Sequence, residues 1–226
     1  MIKQMFPAYV FEWDFLGEHR TELMSPEYFE LMRNEMDAMR KRDPVGRKVS
    51  NAYSGWQSND GVDNNPIFQK MMRQIKIKIR DEIGPVLGLK NVVPNMHNAW
   101  ANINDHTSWN KPHLHNGCMY SGAFYIHAEG DEGDFIAIDT NYKFAGNVPR
   151  NQCVVLETES FKPQTGRLIM FPSGLMHMVE PNLTQKDRYS VSFNCEFDGE
   201  MNENFNQNRN IYFDMADEHG NLRIKD

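Results

Sequence analysis

Two histidines separated by one residue stand in the segment Pro112-His113-Leu114-His115. In an extended chain, alternate side chains point to the same side, so both imidazoles can reach one point. A neutral imidazole offers a lone pair that binds a borderline divalent cation at about 2.0–2.2 Å. Asn116-Gly117 follows and favours a tight hairpin turn into the next strand. His113 and His115 are therefore candidate metal ligands, although two exposed histidines beside a turn would have the same spacing.

A third histidine lies beyond the end of an apolar segment. Residues 166–172, GRLIMFP, predict a buried strand that ends at a proline. The sequence SGLMH follows, with His177 as its last residue. A jelly-roll can place a ligand in this position beside the first two histidines. His177 is therefore the third candidate ligand, and a histidine that merely packs is the alternative.

The segment RYSVSFNCEF predicts a strand whose two faces differ in polarity. One face carries Arg188, Ser190, Ser192 and Asn194. The other carries Tyr189, Val191, Phe193 and Cys195. A guanidinium binds a carboxylate through two parallel hydrogen bonds, and a hydroxyl can add a third. The polar face therefore predicts an interior pocket for a carboxylate, with a solvent-facing strand and a surface ion pair as the alternative.

Four motifs occur in a fixed order: P-H-x-H, S-G-x-x-Y, F-P-S-x-x-x-H and R-x-S-x-S-F-N. In this order they resemble the Fe(II)/2-oxoglutarate-dependent dioxygenase superfamily, and most of all a branch of oxygenases from marine bacteria and their phages. The resemblance covers about residues 98–198, the double-stranded β-helix core, and says little about the N-terminal part. It implies Fe(II) as the metal, 2-oxoglutarate as the co-substrate, and hydroxylation of an unknown substrate with release of succinate and CO2.

The resemblance also implies a ligand set, from which this sequence departs at one position. The superfamily holds its metal with a His-x-Asp pair and a distal histidine. His113 matches the first histidine and His177 the distal one, whereas His115 stands where the carboxylate is expected. Either His115 coordinates, which we favour, or His115 is the first ligand and Gly117 the blank position, or Asp139 supplies the carboxylate. A site without a carboxylate would bind iron more weakly.

The same resemblance assigns residues to 2-oxoglutarate. Superfamily members bind its far carboxylate through an arginine or lysine after the distal histidine, often in an R-x-S pattern, and Arg188 and Ser190 match it. Tyr125 stands on the strand after the first metal motif, where related hydroxylases have a tyrosine that bonds the same carboxylate. Asn102 and Asn104, which alternate in AWANIN, could also reach the co-substrate. A packing role is the alternative for the tyrosine and both amides.

The N-terminal part, residues 1–92, predicts a helical region that packs on a barrel. Ser25-Pro26-Glu27 provides an N-cap, a first-turn proline and an acid, and Asp43-Pro44 ends this helix. Asn65-Pro66 begins a second helix that Gly84-Pro85 ends. The intervening residues 45–64 are polar and rich in glycine, which indicates a long exposed loop.

Residues 93–200 consist of short alternating segments separated by turn residues. The predicted strands are AWANIN, SGAFYIHA, DFIAIDT, QCVVLETES, GRLIMFP and RYSVSFNCEF. This spacing predicts a mainly β fold with flanking helices, whose core is a double-stranded β-helix of the jelly-roll or cupin-like type. Residues 201–226 are expected to form a C-terminal arm, and the whole chain, 1–226, a single domain.

The composition disfavours some classes of binding partner and cellular compartment. The net charge of −7 disfavours binding to nucleic acid or to an anionic membrane. Three cysteines without a C-x-x-C pair suit a reducing compartment, and no stretch approaches the length of a membrane span. We therefore expect a cytoplasmic protein, in the host cytoplasm if a phage encodes it, that acts on a small molecule or peptide. A homodimer is left open.

Two other functions fit the same motifs. A cupin-like metal enzyme could use the three histidines without 2-oxoglutarate, in which case Arg188 would bind a carboxylate of the primary substrate. A non-catalytic jelly-roll binding module would only pack its histidines and would have no affinity for iron. The polar face with Arg188 argues against the second, because a buried arginine without an anionic partner is costly.

Overall fold

The computed structural model describes residues 8–52, 55–140 and 158–202. Two compact units are present: the described residues of Met1–Met72 and Met96–Glu196 form one, and those of Arg73–Asn95 and Phe197–Asp226 form the other. The predicted C-terminal arm beyond residue 202 lies outside the described residues. The same is true of residues 152–157 in the predicted strand QCVVLETES.

The first helix, α1, spans Pro26–Arg42 and is capped as predicted. The Ser25 hydroxyl accepts a hydrogen bond from the Tyr28 amide at 3.4 Å, and Pro26 occupies the first turn. The buried face consists of Tyr28, Phe29, Met32 and Met36. The helix ends at Asp43, whose amide bonds the Met39 carbonyl. The local cap and stop signals therefore define both ends of α1.

The second helical region does not end at Gly84-Pro85. Short 3-10 turns at Val62–Asn64 and Pro66–Phe68 precede α2 (Gln69–Lys78), which continues into a π-helical turn (Ile79–Ile83) and the short α3 (Gly84–Val86). Pro85 lies in this continuous helical segment, just after the π-helical turn, and the segment ends one residue later at Val86. Among the described residues, no helix has the length and apolar composition needed to cross a membrane.

Eleven described strands form two antiparallel sheets. They are β1 (Phe11–Asp14), β2 (Asn51–Ala52), β3 (Trp56–Gln57), β4 (Leu89–Asn104), β5 (Trp109–His113), β6 (Tyr120–His127), β7 (Phe135–Ile138), β8 (Thr158–Phe161), β9 (Arg167–Pro172), β10 (Met176–Val179) and β11 (Arg188–Met201). One sheet has the order β1-β9-β6-β11-β4-β3 and the other β2-β5-β10-β7-β8. Successive strands repeatedly change sheet. Strand residues outnumber helical residues, so the predicted mainly β fold with flanking helices is confirmed.

Asn116-Gly117 does not form a hairpin turn, contrary to the prediction. Strand β5 pairs with β2 and β10, while β6 pairs with β9 and β11, so the two strands belong to different sheets. Residues 114–119 therefore cross from one sheet to the other. The glycine still has a turn conformation, with φ at +81°. Its dipeptide signal is local, whereas the choice of neighbouring strand depends on distant residues.

The predicted exposed loop at residues 45–64 is also wrong over part of its length. It contains β2 and β3, and Trp56, Gln57 and Ser58 are buried. The Trp56 indole donates to the Asp43 carbonyl at 2.8 Å. Ser58 exchanges hydrogen bonds with Ala101 of β4, both at 2.9 Å. This pairing satisfies the polar groups of the segment and makes their burial possible.

Candidate metal centre and its pocket

His113, His115 and His177 meet between the two sheets. His177, in β10, pairs directly with His113 at the end of β5. The ring centroids lie 4.2 Å apart for His113 and His177, 5.3 Å for His113 and His115, and 5.1 Å for His115 and His177. One nitrogen from each ring lies within 4.8 Å of the others. This spacing allows all three imidazoles to bind a single ion.

A bulge in β5 aims His113 into the pocket. On β10, His177 and Val179 are two residues apart, yet they pair with His113 and Asn110, which are three apart. The extra residue of β5 is therefore unpaired, as in a β-bulge. Asn110 and His113 consequently both line the pocket, which regular alternation would not allow.

Each of the three imidazoles has its Nδ1 atom against an oxygen. The pairs are His113 with the Lys111 carbonyl at 2.6 Å, His177 with the Leu175 carbonyl at 2.9 Å, and His115 with Asn194 Oδ1 at 2.5 Å. A carbonyl oxygen can only accept a hydrogen bond, so Nδ1 carries the proton in each ring. The lone pair is then on Nε2, which is free to bind a metal ion.

The surroundings keep the triad neutral. Burial lowers the pKa of His113 and of His115. Burial, and then the neighbouring His113, lower the pKa of His177 to about 3. The rings of Phe135 and Phe171 lie 5.2 Å and 4.7 Å from His177 and form the apolar side of the site. The histidines therefore bear lone pairs at neutral pH.

The other two candidate positions for a ligand lie outside this cluster. Asp139 is exposed beyond the end of β7 and does not belong to the group of His, Cys, Asp and Glu side chains that could share an ion. Gly117 lies in the crossover between the sheets. Among the described residues, the structure thus brings together the three histidines and no carboxylate.

Arg188 is buried in the same pocket and is not fully paired. Its side chain is 2% exposed, and Nη1 donates to the carbonyls of Glu132 at 2.9 Å and Gly133 at 2.5 Å. Its Nε is buried with no partner in the described part of the chain. Burial lowers the pKa of Arg188, and the neighbouring Tyr125, Glu132 and Asp134 oppose this shift without cancelling it. An anion with two oxygens would satisfy the free Nε edge.

The other predicted cofactor residues share the pocket, which opens to solvent. Ser190, Tyr125, Asn102 and Asn104 all line it. Burial raises the pKa of Tyr125, so its hydroxyl is protonated and can donate. Asn102 Nδ2 donates to the Ser192 hydroxyl at 3.0 Å. The roles of these side chains toward a co-substrate remain predictions.

The sequence did not predict two residues that line the pocket, Ser50 and Asn110, or Asn98, which supports Asn194. Asn110 lies between Asn104 Nδ2, at 3.3 Å, and the Ser50 hydroxyl, at 3.1 Å. Asn98 accepts a hydrogen bond from Asn194 at 2.9 Å. The inward direction of Asn110 depends on the bulge, for which the only local signal is the proline at position 112.

Comparison with known proteins agrees with this arrangement. Residues 98–194 match the family described as "Putative 2OG-Fe(II) oxygenase". This match supports the superfamily that the motifs predicted. The predicted recognition is confirmed, and the superfamily makes the protein an oxidoreductase by class. No curated protein matches the chain.

Solved structures share the fold of this oxygenase. A prolyl-4-hydroxylase from Pseudomonas putida has a TM-score of 0.52 at 14% identity, over 82% of this chain and 91% of that one. HygX from Streptomyces hygroscopicus, with nickel and 2-oxoglutarate bound, has a TM-score of 0.54 at 14% identity, over 83% and 82%. A viral collagen prolyl hydroxylase from Paramecium Bursaria Chlorella virus-1 has 0.51 at 12%, over 83% and 95%. The double-stranded β-helix prediction is confirmed.

Proposed function

We propose that this oxygenase uses Fe(II), held by His113, His115 and His177, and 2-oxoglutarate to hydroxylate an organic substrate. The observation that carries the proposal is the unpaired Nε of Arg188, buried in the pocket that the three neutral imidazoles also line. A metal alone needs no such arginine, and a carboxylate alone needs no such triad. A keto acid with a second carboxylate would suit both the triad and the arginine.

When bound together, Fe(II) and 2-oxoglutarate would activate dioxygen, of which one oxygen atom would enter a C–H bond of the substrate and the other the succinate that is released with CO2. The protein provides the geometry. Three imidazoles on one side leave the remaining coordination positions of the metal open to small ligands. Arg188 would bind the far carboxylate through its Nε edge, with Ser190 and Tyr125 as further hydroxyl donors.

The assignment of 2-oxoglutarate also draws on HygX, whose structure holds nickel and 2-oxoglutarate on the same fold. For the substrate we propose a small molecule or a peptide, since the net charge of −7 disfavours nucleic acid. A reducing cytoplasm is the compartment we propose, because it would keep both Fe(II) and the partly exposed Cys118 reduced.

The test is the affinity of Ni(II)-loaded protein for 2-oxoglutarate, measured by calorimetry in wild type and Arg188→Gln. Hydrogen bonds to a charged group contribute about 1.5–3 kcal/mol, so we expect binding to weaken by roughly 10- to 150-fold. Nickel affinity should stay unchanged. Arg188→Lys keeps the charge but loses the two-pronged geometry, and its loss should be intermediate.

Arg167→Gln is the matched control, because Arg167 of β9 bonds the Lys162 carbonyl at 2.8 Å and does not line the pocket. It should bind 2-oxoglutarate as the wild type does. Nickel binding without any 2-oxoglutarate binding by the wild type would overturn the proposal in favour of a metal enzyme of another kind. Equal 2-oxoglutarate affinity in wild type and Arg188→Gln would remove the role of the arginine.

A further inference from the structure

The three imidazoles of the proposed metal site are not oriented in the same way. His113 and His177 each bond a backbone carbonyl two residues earlier in the chain, those of Lys111 and Leu175. His115 instead bonds the side-chain oxygen of Asn194, on a different strand. Two ligands thus depend on their own local backbone, and the third depends on a distant amide.

Asn194 is buried and held by neighbours on three sides. The Ser121 hydroxyl donates to Asn194 Oδ1 at 2.7 Å. Asn194 Nδ2 donates to Asn98 Oδ1 at 2.9 Å. In the antiparallel pairing of β11 and β6, Asn194 lies directly opposite Ser121. These contacts fix the amide so that its oxygen, rather than its nitrogen, faces His115.

Ser173 connects this network to the backbone of His115. Its hydroxyl lies 2.8 Å from that of Ser121, and its carbonyl accepts the His115 amide at 2.8 Å. Because Ser121 donates to Asn194, the Ser173 hydroxyl must donate to Ser121. Each hydrogen bond in the chain then has a defined direction. The chain ends at Asn194 Oδ1, which has only acceptor capacity left for the Nδ1–H of His115.

We propose that Asn194 is the positioning residue that makes His115 a metal ligand. It holds His115 in the Nδ1–H tautomer and leaves the Nε2 lone pair toward the space that His113 and His177 share. The inference rests on the proposed metal site. Hydrogen-bond partners of metal ligands fix ring orientation and raise ligand basicity, and their loss typically weakens metal binding by about 10- to 100-fold.

The test compares Ni(II) affinity of the wild type with Asn194→Leu and Asn194→Asp, by calorimetry or by competition with a chelator. Leucine has a similar size but accepts no hydrogen bond, so the affinity should fall by about 10- to 100-fold. Aspartate keeps an acceptor opposite Nδ1, so this variant should bind nickel at least as tightly as the wild type. If Asn194 only stabilised the fold, nickel affinity would not fall in Asn194→Leu while it is kept in Asn194→Asp.

A double-mutant cycle shows whether Asn194 acts through His115. In a His115→Ala background, Asn194→Leu should cause no further loss of Ni(II) affinity, whereas in a His113→Ala background the loss should persist. A loss that persists without His115 would overturn the inference. Wild-type Ni(II) affinity in Asn194→Leu would overturn the inference as well.

Should Asn194→Leu fail to fold, Ser121→Ala is the second variant, because it removes one support of the amide. It should weaken nickel binding, and unchanged binding in that variant would contradict the inference.

The outcomes separate this inference from the proposed function. If the wild type binds no nickel, the metal site itself fails, and the role of Asn194 falls with it. If the wild type binds nickel and Asn194→Leu binds equally well, only the role of Asn194 fails and the proposed function stands.

Discussion

At the scale of single residues, the buried ionisable groups differ in their surroundings, and these surroundings favour different protonation states and partners. The three histidines have apolar neighbours and oxygen acceptors at Nδ1, which favour neutral rings. Arg188 has two carbonyls and an unpaired Nε, which favour an incoming anion. Cys195, in contrast, is fully buried on the apolar face of β11 and has no role in the site.

Burial, followed by the charges of Cys118 and Glu196, raises the pKa of Cys195 to about 12. The folded thiol therefore keeps its proton above pH 9, where an unfolded thiol loses it. The free energy of unfolding should fall as the pH rises from 9 toward 12, by at most about 1.4 kcal/mol per unit from this group. Cys195→Ala should flatten the decline, measured by urea unfolding between pH 7 and 10.5.

Cys118→Ala is the comparison variant for this slope, because burial raises the pKa of the partly exposed Cys118 too, but by less than that of Cys195. It should flatten the decline less than Cys195→Ala does. Identical slopes above pH 9 in the wild type and Cys195→Ala would show that the Cys195 thiol titrates alike in the folded and unfolded chains.

At the scale of elements, β6 must pass close to β9 and β11 to line the pocket. Gly122 of β6 makes this approach possible, because a Cβ there would contact Phe193 Cε1 and the Ile169 carbonyl oxygen, each at 2.9 Å. The carbonyl belongs to the backbone of β9 and cannot rotate away. The strand spacing beside the proposed metal site therefore depends on the absence of a side chain at Gly122.

Gly122→Ala should destabilise the fold by about 1–3 kcal/mol, the usual cost of forcing an added methyl into a packed core. Chemical denaturation would measure it. Gly174→Ala is the control, since no atom outside its own neighbours lies within 4 Å of a Cβ at that position. Equal losses of stability in the two variants would contradict the close approach at Gly122.

Elements with local signals were predicted well from the sequence. The cap at Ser25 and the stop at Asp43 define α1, and the alternation in β11 correctly places Arg188 and Ser190 on the pocket face. Elements that depend on pairing with strands distant in the sequence were not predicted. Asn116-Gly117 has hairpin residues, but β5 and β6 have other partners. Burial of residues 56–58 follows from pairing with β4, which no local pattern reveals.

At the scale of the whole molecule, the site is assembled from segments far apart in sequence. His113 is the last residue of β5 and His115 follows it. His177 comes from β10 of the same sheet, and Arg188 and Asn194 come from β11 of the other. The motifs predicted that the three histidines and the arginine belong to one site, because each lies in a short recognisable segment, and all four line one pocket. The support from Asn194 and the bulge that turns Asn110 inward required the assembled sheets.

The central claim is that three histidines and an arginine jointly hold Fe(II) and 2-oxoglutarate. Anaerobic titration of Fe(II) into the metal-free protein, with and without 2-oxoglutarate, tests it most directly. We predict a weak visible charge-transfer band only when both are present, and its loss in His177→Ala. Iron binding without the band would contradict the role of 2-oxoglutarate, and no iron binding at all would contradict the metal site.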